Sequence, residues 1–235
     1  NVVWVNNEIP GVEGYTSPMI MEFGGYRQLV ASSSTCYYGV DTKSGKLLWK
    51  VDFQNERGLN ISDVIISNDF VFMSSGYGKG SMLVRLKSAG GRIMPDTVWQ
   101  SGIMDNHHGG VILHNGHLYG SGSNSRGWFC LDLMTGKQLW NTDGKGSLTY
   151  ADGMLYILEE RSGTVKLVSA TPEKYDLKGE FKVPKGGEGM YWAHPVVCGG
   201  SPPTRLILSE IISPNRLLII RSLSLCTAGF NLSRC

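Results

Sequence analysis

The chain has 235 residues, and 22 Lys and Arg against 20 Asp and Glu give a formal net charge of +2; that length can bury a sizeable core, and no charge excess would recruit nucleic acid or an anionic membrane. No run of about 18 apolar residues occurs, so no transmembrane helix is expected. The 31 glycines suit many tight turns; the odd count of five cysteines (Cys36, Cys130, Cys198, Cys226, Cys235) argues against a full disulfide framework, and the lack of a Cys-x-x-Cys pair argues against a structural zinc site.

Residues 1–9 carry Trp4 and read as the last strand of a unit whose start is missing. A unit near 15–52 follows. It opens with the apolar strand Pro18-Met19-Ile20-Met21 and reaches Tyr37-Tyr38-Gly39-Val40. The phrase Asp41-Thr42-Lys43-Ser44-Gly45-Lys46-Leu47-Leu48-Trp49 comes next. Asp and Ser bond local backbone and start a turn, and Gly supplies the left-handed residue that closes a bulged hairpin. Lys-x-Leu-Trp then re-enters a strand, its indole suited to a contact between packed sheets.

The next unit, near 59–101, has the strand Val64-Ile65-Ile66, an Asn68-Asp69 turn, Phe70-Val71-Phe72-Met73 and Trp99. Its Gly76-Tyr77-Gly78-Lys79-Gly80 is expected to be a long inter-strand loop, since it lacks the Lys-Ser/Thr ending and helix of a phosphate loop. A third unit, near 107–143, has Val111-Ile112-Leu113 and an Asn115-Gly116 hairpin signal. Trp128-Phe129-Cys130-Leu131 leads into Asp132-Leu133-Met134-Thr135-Gly136-Lys137-Gln138-Leu139-Trp140, a near copy of the 41–49 phrase. A fourth, near 145–184, has Leu148-Thr149-Tyr150, Asp152-Gly153 and, 41 residues after Trp140, Phe181 in the place of the tryptophan. A fifth begins near 192 with Pro195-Val196-Val197. Each unit reads as four antiparallel strands in about 40 to 50 residues, the size of one propeller blade.

Asp41, Gly45, Trp49, Trp99, Asp132, Gly136 and Trp140 thus form a structural repeat motif. Trp49 and Trp140 are expected to be buried on the fourth strands of the first and third blades, with Gly45 and Gly136 at positive φ. Cys36 and Cys130 fall in strands and read as buried small hydrophobes.

With these phrases the chain resembles the pyrroloquinoline-quinone (PQQ)-type β-propeller repeat family, over roughly residues 15–200 and most closely at 36–50 and 115–141. The resemblance implies an all-β fold: a partial propeller of four-stranded antiparallel blades, part of a ring of about eight whose tryptophans dock between neighbours. Units two and four are degenerate, with Arg85-Leu86-Lys87-Ser88-Ala89-Gly90 and Ser169-Ala170-Thr171-Pro172 where the turn phrase belongs. Repeats are expected over residues 1–200, as an open arc. Residues 201–235 lack both turn phrases and the tryptophan, and are read as an aberrant tail from a frame shift near residue 200, or as a divergent terminal segment.

Function in a propeller concentrates where the innermost strands meet the channel. The residues just before those strands point to a rim made of Asp63, His107, His108, Tyr191, Trp192 and His194. Three histidines and a carboxylate can shuttle protons or bind an ion; the alternative is a rim of polar groups bonded to backbone. Adjacent His107 and His108 are expected on opposite sides of an extended chain, so that only one faces the channel. Tyr191 and Trp192 offer an aromatic shelf for a sugar or other flat ligand, or pack at a blade junction.

The family includes quinone-dependent alcohol dehydrogenases and a lipoprotein of the outer-membrane barrel-assembly machinery. The dehydrogenases use adjacent cysteines, a tryptophan floor and carboxylates around calcium; no adjacent cysteines occur here. The expectation is therefore a non-catalytic scaffold or binding module with no evident cofactor or metal site and unknown catalytic residues. It is taken to be a bacterial protein, periplasmic or secreted, whose partner is a protein or a small-molecule or carbohydrate ligand. The rival reading is a quinoprotein-type oxidoreductase holding PQQ and calcium in blades outside this sequence.

Overall fold

The computed structural model describes residues 1–184, 188–198, 204–211, 217–219 and 223–225. It is an all-β, open, partial propeller, and no helix occurs among these residues. Blade 1 is a meander of β1 (Met19–Phe23), β2 (Tyr26–Ser32), β3 (Cys36–Asp41) and β4 (Leu47–Asp52). Blade 2 comprises β5 (Ile65–Ser67), β6 (Phe70–Ser75), β7 (Gly80–Ala89) and β8 (Arg92–Ser101). Blade 3 comprises β9 (Val111–His114), β10 (His117–Ser121), β11 (Gly127–Asp132) and β12 (Gln138–Asp143). Blade 4 comprises β13 (Gly146–Ala151), β14 (Met154–Glu159), β15 (Thr164–Ser169) and β16 (Leu177–Lys182). A further sheet follows: β17 (Pro195–Cys198) pairs with β18 (Thr204–Ile211), which pairs in turn with β19 (Leu217–Ile219). Its β20 (Leu223–Leu225) returns to β18 rather than to β19, so this sheet is not a regular meander. The expected turn near Pro214-Asn215, and Cys226 and Cys235, lie outside the described residues.

Blades pack face to face, so strand periodicity assigns each side chain to one junction. On β6, Val71 and Met73 face blade 1 and join Val30, Tyr37, Trp49 and Met82, whereas Phe72 between them faces blade 3 with Leu118, Phe129 and Leu131. The same alternation puts Leu155 and Ile157 of β14 against Trp128 and Trp140 of blade 3, and Tyr156 and Leu158 on the other side with Val165.

The two turn phrases superpose in detail. Ser44 Oγ donates to Asp41 Oδ2 at 2.6 Å, and Thr135 Oγ1 to Asp132 Oδ1 at 2.7 Å. The amides of Gly45 and Gly136 close on the carbonyls of Asp41 and Asp132, and both glycines have left-handed φ, +71° and +67°. A bulge follows Gly39 in blade 1 and Cys130 in blade 3, directly after the residues that pair with Trp49 and Trp140. Both indoles are buried, at 4% and 8% exposure, on the fourth strands of their blades.

These glycines have a second task. A Cβ on Gly136 would lie 2.6 Å from the Trp99 ring, and one on Gly45 2.4 Å from the Trp4 ring. Each indole thus lies flat on the glycine of the next blade and donates its N–H to that turn: Trp99 to the Leu133 carbonyl at 2.8 Å, Trp4 to that of Thr42 at 2.9 Å. Trp140 donates to the Thr171 carbonyl of blade 4 at 2.8 Å. Trp49 departs from the rule. Blade 2 has no receiving turn, because β7 and β8 extend into a long hairpin, and Trp49 donates instead to Gln28 of its own blade at 2.7 Å.

Three expectations are corrected. Residues 1–9, expected to form a strand, contain none. Phe181 does not replace the tryptophan. Blade 4 has its bulge after Leu167, whose partner is Gly179, while Phe181 pairs with Val165 two residues further along. Counting from Trp140 missed the shift in register of the β15–β16 hairpin. Residues 76–79 form a tight four-residue turn, not a long loop, with Tyr77 and Gly78 both at left-handed φ.

Candidate functional site

In a meander of antiparallel strands, the residues leading into the first strand and the turn between the second and third emerge at one end of the blade. Turns of the Asp-x-x-Ser/Thr-Gly type emerge at the other. Asp63, His107, His108 and residues 191–194 therefore share an end with turns 76–79, 122–126 and 160–163.

Three of the rim residues meet. Asp63, His108 and His194 line one cleft of about 360 Å³, together with Tyr15, Ser17 and the apolar flanks of β5, β9 and β13. Asp63 ties blade 2 to blade 1, and His194 ties the lead into β17 to the lead into blade 3. The Asp63 carboxylate accepts the amide N–H of Ser17 from blade 1. His194 Nε2 lies 2.9 Å from the His108 carbonyl oxygen, which can only accept, so the His194 proton is on Nε2. Nearby, Ser147 and Thr149 of β13 donate to the carbonyls of Ala193 and Pro195.

His107 and His108 do not point apart. Their Nδ1 atoms are 3.1 Å from each other and the rings meet edge to face at 5.1 Å. The alternation rule fails because residues 107–109 form a bend rather than a strand. His107 packs edge-on against Tyr77 at 4.8 Å. His108 packs against Trp192 at 5.0 Å, which leaves Trp192 58% exposed. Tyr191 lies elsewhere: its ring covers Gly163, its amide donates to the Glu160 carbonyl, and it lines a separate cleft of about 660 Å³ with Arg161, Met190 and Glu188.

Both histidines are held neutral. Burial, then the neighbouring Lys145 cation, lowers the His107 pKa. Burial, then His107 and Lys145, pushes His108 down to about 4. The buried His108 Nε2 has no hydrogen-bond partner among the described residues and stands 3.6 Å from the Glu160 carboxylate, which also faces Lys145 Nζ at 3.5 Å.

Glu160 and Asp105 were not singled out by sequence reasoning. Asp105 is fully buried and its carboxylate accepts the amides of Gly78, Ser123, Asn124 and Ser125 and the Ser125 hydroxyl. One carboxylate thereby fixes the turns of two adjacent blades beside His107. Glu160 opens the turn that follows β14 at the rim end of blade 4, so the strand order alone was a usable signal.

The model of the family described as outer membrane protein assembly factor BamB matches residues 1–142 of the chain. The chain belongs to this BamB-like family of PQQ-type repeat propellers. No curated protein matches it by sequence. Solved structures carry the same fold. BamB from Moraxella catarrhalis aligns with TM-score 0.56 and 13% identity over 87% of this chain and 60% of its own. The quinohemoprotein alcohol dehydrogenase ADHIIG from Pseudomonas putida HK5 aligns with TM-score 0.61 and 16% identity over 88% and 40%. That of Comamonas testosteroni aligns with TM-score 0.59 and 14% identity over 95% and 45%. The chain therefore spans 40–60% of the length of these proteins.

The donors at this rim do not fit quinone with calcium. Among the described residues no three His, Cys, Asp or Glu side chains are grouped to hold a metal ion. The Asp63 carboxylate is committed to the Ser17 amide, and Trp192 leans on His108 at 45°.

Proposed function

We propose that this BamB-like chain is a non-catalytic binding module that presents its rim face to a ligand or partner. The observation that carries this is the use already made of the polar atoms on the rim. Asp63 ties blade 2 to blade 1, His194 ties the lead into β17 to the lead into blade 3, and His107 and His108 bond to each other through Nδ1, with His108 Nε2 shut away from solvent by burial. Groups so committed make a rigid, shaped surface; a proton shuttle needs groups left free to exchange. Kinship with BamB and the quinoproteins supports an exported bacterial protein, periplasmic or secreted. No helix among the described residues is long and apolar enough to cross a membrane.

The test is reconstitution with PQQ and calcium, read by quinone fluorescence and by dye-linked oxidation of short alcohols. The expected result is neither stoichiometric quinone uptake nor turnover. Turnover that disappears in His194→Ala would replace this reading with the oxidoreductase one.

A further inference from the structure

Beside the His108 cleft lies a second one, of about 410 Å³, between the turn that follows β10 in blade 3 and the turn that follows β14 in blade 4. Its walls are Arg126, Asp143, Lys145, Glu159, Glu160 and Arg161. None of these entered the sequence-based rim.

The charges in this cleft are not equivalent. Glu159 is fully engaged: Oε1 accepts the Trp128 indole N–H at 2.9 Å and Lys166 Nζ at 2.8 Å, and Oε2 accepts the Lys145 amide at 3.1 Å. Glu160, only 7% exposed, faces Lys145 and neutral His108. Arg126 and Arg161 are exposed and make no ion pair among the described residues, and Asp143 likewise has none. Arg126 is also held at φ +44°, a left-handed conformation that costs a non-glycine residue energy. Two unpaired guanidiniums therefore flank a cleft that also offers carboxylate acceptors. His108 connects Glu160 to the open ring of Trp192.

We propose that this cleft binds a uronate-bearing oligosaccharide. The inference rests on the binding-module reading and names its ligand class. A uronate ring carries both complements at once. Its carboxylate pairs with a guanidinium fork, its hydroxyls donate to Asp143 and Glu160, and an adjoining ring can lie on Trp192. A neutral sugar leaves the guanidiniums unpaired. An acidic peptide brings carboxylates up to Asp143 and Glu160 with no hydroxyls to offer them.

The test is calorimetric titration of the purified chain with trigalacturonate, cellotriose and poly-glutamate, alongside Arg126→Gln, Arg161→Gln and, as a control on the blade 2 hairpin, Arg92→Gln. Circular dichroism reports folding of each variant. Trigalacturonate is expected to bind and to weaken with salt, with a loss of about tenfold or more in each cleft variant and none in Arg92→Gln. No binding of trigalacturonate, equal binding of cellotriose, or affinity unchanged in both cleft variants overturns the proposal. Poly-glutamate binding at least as well also overturns it and assigns the cleft to an acidic polypeptide, leaving the module reading intact. Only quinone turnover in the preceding test removes that reading itself.

Discussion

Replacing Gly136 with Ala separates the two tasks assigned to this glycine. A left-handed backbone costs an alanine about 1–2 kcal/mol wherever it occurs. Gly116 provides the reference: its φ is +78° but no atom lies within 4 Å of where a Cβ would be, so Gly116→Ala should cost only that. At Gly136 the same methyl would lie 2.6 Å from Cδ2 and 2.8 Å from Cε3 of Trp99. The indole must move, which adds about 1–3 kcal/mol of overpacking and about 1 kcal/mol for the lost bond to the Leu133 carbonyl. Gly136→Ala should therefore exceed Gly116→Ala by about 2–4 kcal/mol. Urea unfolding with an unchanged m-value reads the difference. In a Trp99→Ala background the excess should vanish, because the ring that the methyl strikes is gone. Equal destabilisation by the two glycine substitutions, or an excess that survives without Trp99, refutes the docking argument.

Two further outcomes are expected. Because the folded pKa of His108 is depressed to about 4, the unfolded chain takes up this proton first. The associated stability is present above about pH 6.5 and is lost as pH falls from there towards 4. His108→Gln should flatten that part of the stability–pH profile measured by urea unfolding, and parallel profiles would contradict it. Asp105→Asn puts a donor among five donors, which should cost about 3 kcal/mol or more and expose the 122–126 turn to limited proteolysis. Protease resistance equal to the unmodified chain would show that Asp105 does not organise that turn.

What was legible in the sequence was local chemistry. Asp41 and Asp132 announce their turns because the bonds they make reach only three residues ahead, and Asn115-Gly116 announces its hairpin for the same reason. The innermost strands follow from short apolar runs. Phe181 misled because spacing between aromatics ignores where a bulge resets the register. The histidine pair misled because the rule for extended chain was applied to a bend. Arg126, Glu160 and Asp105 carry no local signature. Each takes its meaning from groups on other blades, and a close reading of one turn cannot reveal them.

The indole-on-glycine contact runs one way along the array: the ring always comes from the earlier blade and the glycine from the later. Residues 1–9 show that the ring need not belong to a sheet. They contain no strand, yet Trp4 covers Gly45, and Asn6 Nδ2 donates to the Gly45 carbonyl at 2.6 Å. The turn grips the ring through one flat contact and the indole N–H alone, whatever conformation the backbone around the tryptophan takes. The order of ring and then glycine gives the array a direction along the chain.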